Sequence, residues 1–260
     1  MIPLLVIIFA FGATIGSFLN VLIFRIPKSE EFVKTRSHCM SCGYQLRWFD
    51  LIPIISWIAL RGKCRCCKAK LSPQYPIIEA ANGLLWVICF LVKDLTVEAL
   101  ILCFSISALL ALSIIDERTR EIPFGFNVFL FAMGVLMTLY DSTWAERPFD
   151  CFYLPAFLYH IIGMLCVSLV LWLLYQFSGG RAIGGGDVKL MFSAGLLLGW
   201  PKIILAFVIG CVAGAIIHVI RMKVAGAEKV LAMGPYLAAG IFIAALFGQQ
   251  IISAYLNILH

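Results

Sequence analysis

Charged side chains are scarce in this chain. Asp, Glu, Lys and Arg make up 13% of its 260 residues while 62% are hydrophobic, and that charged share is about half of what a soluble domain carries. So little charge cannot cover a water-exposed fold, and the chain reads as a membrane protein. Charge is also missing from the whole of "MIPLLVIIFAFGATIGSFLNVLIF", which precedes Arg25. A cleaved secretory signal needs a basic start and a small-residue cleavage site, so this run, long enough to span, is expected to persist as a helix. Repeats of fixed period and low-complexity segments are absent as well, which excludes solenoids and long linkers.

What is present is a series of apolar runs. Against the roughly 20 residues that a helix needs to cross a bilayer, they predict about eight helices, near 1–24, 77–92, 99–115, 122–140, 156–177, 188–200, 203–220 and 231–250. If alternate connections lie on opposite sides, all of the 20 Lys and Arg except Lys93, Arg147 and Lys202 fall on one side. The positive-inside rule makes that side the cytosol and places the N-terminus outside. The net charge of +6 is then a consequence of topology and calls for no nucleic-acid partner. One connection, 25–76, is far longer than the others and forms a small cytosolic domain.

That domain holds "HCMSC" and "GKCRCC". Pairing Cys39 with Cys42 and Cys64 with Cys67 gives two C-x2-C knuckles separated by 21 residues, close to the spacing of a four-thiolate zinc site. Each knuckle aims two sulfurs at one point. The competing reading is a pair of disulfides, which seldom persist in a reducing cytosol. Four protein ligands leave no open coordination position, so the zinc is expected to be structural, stapling a segment of about 50 residues whose own core is small. His38 and Cys66 are substitute ligands or mere neighbours. Cys89, Cys103, Cys151, Cys166 and Cys211 are scattered and read as small apolar residues.

Acids near predicted helix ends on the cytosolic side are Glu79, Asp116, Glu117, Glu121 and Asp187. Asp116 closes the third helix after "ALLALSII", and Asp187 opens the sixth after the glycines of "GRAIGGGDVKLM", so both arrive at one depth. Ionisable groups at a membrane edge are functional hypotheses by default. Two close carboxylates share a proton, one acting as base toward water and the other as acid toward a carbonyl oxygen, which is aspartic-protease chemistry. On this reading Gly184, Gly185 and Gly186 permit positive φ and let a peptide backbone approach the acid. The loop supplies neither a G-x4-G-K-[ST] phosphate cradle nor a G-x-G-x-x-G dinucleotide turn. The plainer alternative is that both aspartates cap helices or pair with Arg118, Arg120 or Lys189.

Taken in order, "GSFLNVLIFRIP", the two knuckles around "DLIPIISW", "SPQYPIIE", "IDERTREIP", "GGGDVKL" and "GPYLAAG" resemble the blocks of the type IV prepilin peptidases. The resemblance covers nearly the whole chain and departs from the family pattern at Met40 and Phe124. It implies an inner-membrane aspartic endopeptidase of the G-x-G-D kind with Asp116 and Asp187 as its catalytic acids. It also implies cleavage of the short basic leader of prepilins or pseudopilins, whose apolar helix follows in the membrane, and then methylation of the new N-terminus from S-adenosylmethionine. Type IV pilus assembly or type II secretion would be the pathway. Glu117 and Glu121 would attract the leader, or are simply solvated.

The expected architecture is therefore an all-α polytopic membrane protein, with residues 1–24 as the first helix, 25–76 as the zinc-binding domain and 77–260 as the peptidase domain. For the methyl donor, Gly12, Gly16 and Asn20 recur every four residues along one helix face, and Asp50 and Glu79 offer carboxylates to a cationic group. The same residues also suit helix packing and an Arg25–Glu79 ion pair. His160 and His218 read as packing or interface residues. Two other functions stay open at this stage: a leader peptidase without methyl transfer, and a zinc-stapled scaffold or transporter, although no paired broken helices support the latter.

Overall fold

The computed structural model describes residues 2–31, 37–144, 155–181, 183–225 and 231–259. Eight long helices account for most of them: α1 (Ile2–Arg25), α3 (Gln74–Lys93), α4 (Val97–Thr119), α5 (Phe124–Trp144), α6 (Ala156–Ser178), α7 (Gly185–Leu198), α8 (Trp200–Ala225) and α9 (Gly234–Leu259), with a five-residue helix α2 (Ile55–Ala59) between the first two. Seven are long and apolar enough to cross a membrane; α7, at 14 residues, is the exception. At 1.5 Å per residue it is about 21 Å long, short of a bilayer core of about 30 Å. Eight long helices form as expected, but seven of them, not eight, are long and apolar enough to span. Among the described residues no sheet forms, since the only pairings are the single bridges His38 with Gln45 and Lys63 with Lys70.

The chain divides into two compact units, Met1–Asp94 and Leu95–His260. Sequence reading put a boundary at residue 77, but α3 packs along α1, so the structural boundary falls after Asp94. The contact between these helices depends on missing side chains. A Cβ on Gly16 would sit 2.8 Å from the Glu79 Cα, and one on Gly12 would sit 2.9 Å from the Trp86 ring. Lipid is as apolar as leucine, so helices in a bilayer associate through such close backbone approach and through hydrogen bonds. Asn82, fully buried on α3, adds one by donating its Nδ2 to the Gly12 carbonyl at 2.7 Å.

In the second unit α4 is the most deeply buried helix, started by the Thr96 hydroxyl, which accepts the Ala99 N–H at 3.1 Å. Its buried residues, including Leu102, Ile106, Leu109 and Ile115, run all around it, as expected of an element enclosed by others. The short α7 is nearly as enclosed, with Leu190, Met191 and Ala194 fully buried. It lies against α6 at Gly163 and Gly195, where a Cβ on the first would meet the second's carbonyl oxygen at 2.5 Å. At its far end His160 reaches the Leu196 carbonyl through Nδ1 at 2.7 Å and the Asp141 carboxylate through Nε2 at 2.9 Å. His160 is thus a packing residue that ties α5, α6 and the end of α7 together. Cys89 and Cys103 are buried as apolar residues; Cys151 lies outside the described residues.

Candidate active site and metal centre

The second unit sets Asp116 and Asp187 at helix ends within electrostatic range of each other. Asp116 sits in the last turn of α4, only 5% exposed, and its Oδ2 accepts the Gly234 N–H at the start of α9 at 2.9 Å. Asp187 stands in the first turn of α7, close enough for its charge to interact with that of Asp116. It lines a cleft of about 340 Å³ together with Arg120, Glu121, Ile122, Phe124, Lys189 and the glycines 184–186. Asp116 is thus a buried carboxylate fixed by a backbone donor, and Asp187 is a carboxylate facing an opening.

The glycines act differently from expectation. None of Gly184, Gly185 and Gly186 has positive φ; Gly184 is extended at φ −72° and caps α7, and the next two belong to the helix. Their value is lack of bulk. A Cβ on Gly184 would lie 3.2 Å from the Asp187 Oδ2, and one on Gly186 would lie 3.1 Å from Ile122. The first glycine keeps the carboxylate uncovered, and the last lets the 120–123 loop close against α7. The positive φ values of this region belong instead to Gly179 and Gly180 at the end of α6 and to Arg120 at the end of α4, where left-handed residues terminate the helices.

Neighbouring charges have found partners that spacing alone did not reveal. Glu117 pairs with Arg221 of α8 at 2.6 Å, and the Lys189 ammonium lies over the Phe124 ring at 5.6 Å. Gly234 was missed as a site residue, though it sits in the "GPYLAAG" block. A Cβ there would stand 2.6 Å from the Asp116 Oδ2, so only glycine can donate its N–H from that position without displacing the acid.

In the first unit the sulfurs of Cys39, Cys42, Cys64 and Cys67 lie within 4.8 Å of one another. The two knuckles are built alike. Cys39 N–H donates to the Tyr44 carbonyl at 2.9 Å and Cys64 N–H to the Ala69 carbonyl at 2.8 Å, with left-handed Gly43 and Lys68 after the second cysteine of each. A tetrahedral ion with sulfurs at about 2.3 Å requires sulfur separations of roughly 3.8 Å; Cys39 and Cys67 stand 3.9 Å apart. The Ser41 N–H is the largest influence on Cys39, which is held near 6. The Tyr44 N–H acts to lower Cys42, yet desolvation and its sulfur neighbours push it up to about 12. Crowded thiols resist full ionisation unless a cation joins them. Cys66 is exposed and His38 stands outside the cluster.

The remaining candidates cluster around α1 and α3. Glu79, buried, accepts the Ile54 N–H at 2.7 Å. Asn20, 1% exposed, donates to the carbonyls of Gly16 and Tyr75 at 3.3 and 3.2 Å, while its Oδ1 has no partner among the described residues. Asp50 accepts the Arg65 Nε–H at 2.8 Å and the Arg47 N–H at 3.2 Å, which braces the second knuckle. Arg25 donates to the Glu31 carbonyl at 3.1 Å.

Comparison with known proteins gives matches over both units. The Bacterial Peptidase A24 N-terminal domain matches residues 10–93, and the Type IV leader peptidase family matches residues 103–219. A prepilin leader peptidase/N-methyltransferase of Stutzerimonas stutzeri is 30% identical over 278 residues, spanning 95% of this chain and 91% of that protein. One of Pseudomonas aeruginosa is 30% identical over 273 residues, with the same shares. No solved structure matches.

Proposed function

From a chain that belongs to the Type IV leader peptidase family, we propose a mechanism in which Asp116 and Asp187 form the catalytic pair for leader cleavage. The enzyme cleaves prepilins and N-methylates the product, as its relatives' names state. One observation carries the assignment of the acids: Asp116, buried and fixed by the Gly234 N–H, interacts with an Asp187 that lines the cleft. Two carboxylates in mutual range hold one proton between them. The ionised member takes a proton from water as its oxygen attacks the scissile carbonyl carbon, and the protonated member gives its proton to the carbonyl oxygen. Proton return to the leaving nitrogen then breaks the C–N bond. No Cβ at Gly184 obstructs an extended peptide reaching Asp187. Glu121, on the rim, offers a counter-charge to a basic leader.

The four cysteines fit a structural zinc, because four thiolate donors whose sulfurs lie within 4.8 Å of one another would supply a complete tetrahedral ligand set. S-adenosylmethionine is the proposed methyl donor, supplying when bound an electrophilic methyl group on a cationic sulfur. Glu79 and the unpartnered Asn20 Oδ1 are the acceptors best suited to a cationic amine or sulfonium; Gly16 makes room for α3. Asp50 belongs to the same candidate set, although Arg65 already engages it. The skew of Lys and Arg toward alternate connections supports a multi-pass inner-membrane protein with its N-terminus outside and the peptidase cleft at the cytosolic face.

The test is Asp116→Asn and Asp187→Asn assayed on a prepilin substrate in membranes. Each should lower cleavage at least about 10³-fold, while methylation of a pre-cleaved pilin persists. Cleavage near the wild-type rate in either variant would refute the pair.

A further inference from the structure

The segment "WFDLIPIISWIAL" follows the first knuckle and presents apolar side chains outward. Trp48 is 78% exposed, Leu51 42%, Ile55 65% and Ile58 63%. A water-facing loop has no use for such a row, and a small metal-stapled module gains no core from it. The backbone explains where the row is held. Ile54 adopts φ 61° and ψ −52°, and the Ile55 N–H bonds back to the Pro53 carbonyl. This is the strained form of the γ-turn, rare for a β-branched residue. It turns the Ile54 N–H toward Glu79, which accepts it at 2.7 Å.

That bond fixes a depth. Glu79 is five residues beyond Gln74, where the membrane-spanning helix α3 begins, so it lies about 7.5 Å along the axis. The tip of the segment is therefore tied at the level of the second turn of α3, where Ile77 is itself 62% exposed. Interfacial elements bury their apolar faces about 5–10 Å below the headgroups, with Trp at the boundary and basic residues above. The module supplies those bases as well. Arg61, Lys63, Lys68 and Lys70 are all exposed, and Asp50, the only acid from 37 to 73, is engaged by Arg65.

We propose that the Trp48–Ile58 segment is a re-entrant lipid anchor, seating Leu51, Ile55 and Ile58 in the acyl boundary of the bilayer and Arg61, Lys63, Lys68 and Lys70 against anionic headgroups. The occupant of this surface is lipid. Charge complementarity excludes a basic leader, because the module's exposed charges are themselves basic. The anchor holds the metal module at a fixed height on the membrane, and the strained turn persists because Glu79 captures its N–H.

The test replaces Ile58 with the photoreactive residue benzoylphenylalanine in the full-length protein. The protein is reconstituted in vesicles of phosphatidylethanolamine with radiolabelled phosphatidylglycerol or, in parallel, radiolabelled phosphatidylcholine, and irradiated. Leader cleavage by the same preparation reports that the fold is intact. The expected result is a lipid adduct at position 58, several-fold greater with phosphatidylglycerol. That preference should disappear in the R61Q/K63Q/K68Q/K70Q variant. A crosslink to a second copy of the chain in place of lipid, or no adduct in a cleavage-competent sample, would overturn the anchor. Equal labelling by the two lipids would overturn the anionic recognition.

Discussion

Substitution of Gly234 by alanine isolates the geometry of Asp116 without removing either acid. The new methyl group would lie 2.6 Å from Oδ2, 3.0 Å from Cγ and 3.1 Å from Cβ of Asp116, where ordinary contact begins at 3.4 Å. Relief on the Oδ2 side alone demands a shift of roughly 0.8 Å, and a misplacement of about 1 Å at a reacting group costs on the order of 100-fold in rate. The same shift strains the 2.9 Å bond from the Gly234 N–H. Alanine is otherwise a better helix former than glycine by about 1 kcal/mol, so α9 should not unravel. The expected outcome for Gly234→Ala is a fall of about 100-fold in kcat for leader cleavage with KM little changed, and methylation of pre-cleaved pilin at the wild-type rate. Quantifying cleavage of a purified prepilin in proteoliposomes, across substrate concentrations, separates these terms. A variant that cleaves within about threefold of wild type would refute the idea that Gly234 sets the position of Asp116.

Other predictions address the rest of the fold. Gly16→Ala places a carbon 2.8 Å from the Glu79 Cα, and such overpacking costs about 1–3 kcal/mol; methyl transfer should fall while cleavage by the aspartate pair is largely kept, as parallel assays would show. Purified protein should contain one zinc per four-cysteine cluster by elemental analysis, and the double change Cys39→Ser with Cys64→Ser should abolish zinc binding and expose residues 37–73 to protease. His160→Ala leaves the Leu196 carbonyl and the Asp141 carboxylate without this partner, so thermal unfolding in detergent should show a loss of about 1–3 kcal/mol. An unchanged melting temperature would remove His160 from the packing of α7.

Periodicity and composition exposed the helices because a bilayer admits only backbone that satisfies its own hydrogen bonds, and an apolar run of sufficient length has one solution there. Breaks were legible for the same reason: the "GWPK" sequence stops α7 after 14 residues, and Gly199 takes the positive φ that the junction needs. Thiolate spacing was equally direct, since a C-x2-C knuckle is local and needs only one turn to aim two sulfurs. The role of the glycine run was misread in part. Its residues cap and begin a helix, and what matters is the absent Cβ beside Asp187 and Ile122, which no count of glycines shows.

What the sequence by itself determined was whatever is local: the long apolar segments, the knuckles and the two candidate acids. Tertiary structure decided the rest, because the deciding contacts join residues far apart along the chain. Asp116 meets Gly234 across 118 positions, Glu117 meets Arg221 across 104, and Asn82 meets Gly12 across 70. Likewise the pairing of α1 with α3, which assigns the latter to the first unit, rests on Gly12 and Gly16 meeting that helix. Small residues and single amides carry no strong pattern of their own. Their meaning comes from what folding places within 3 Å of them.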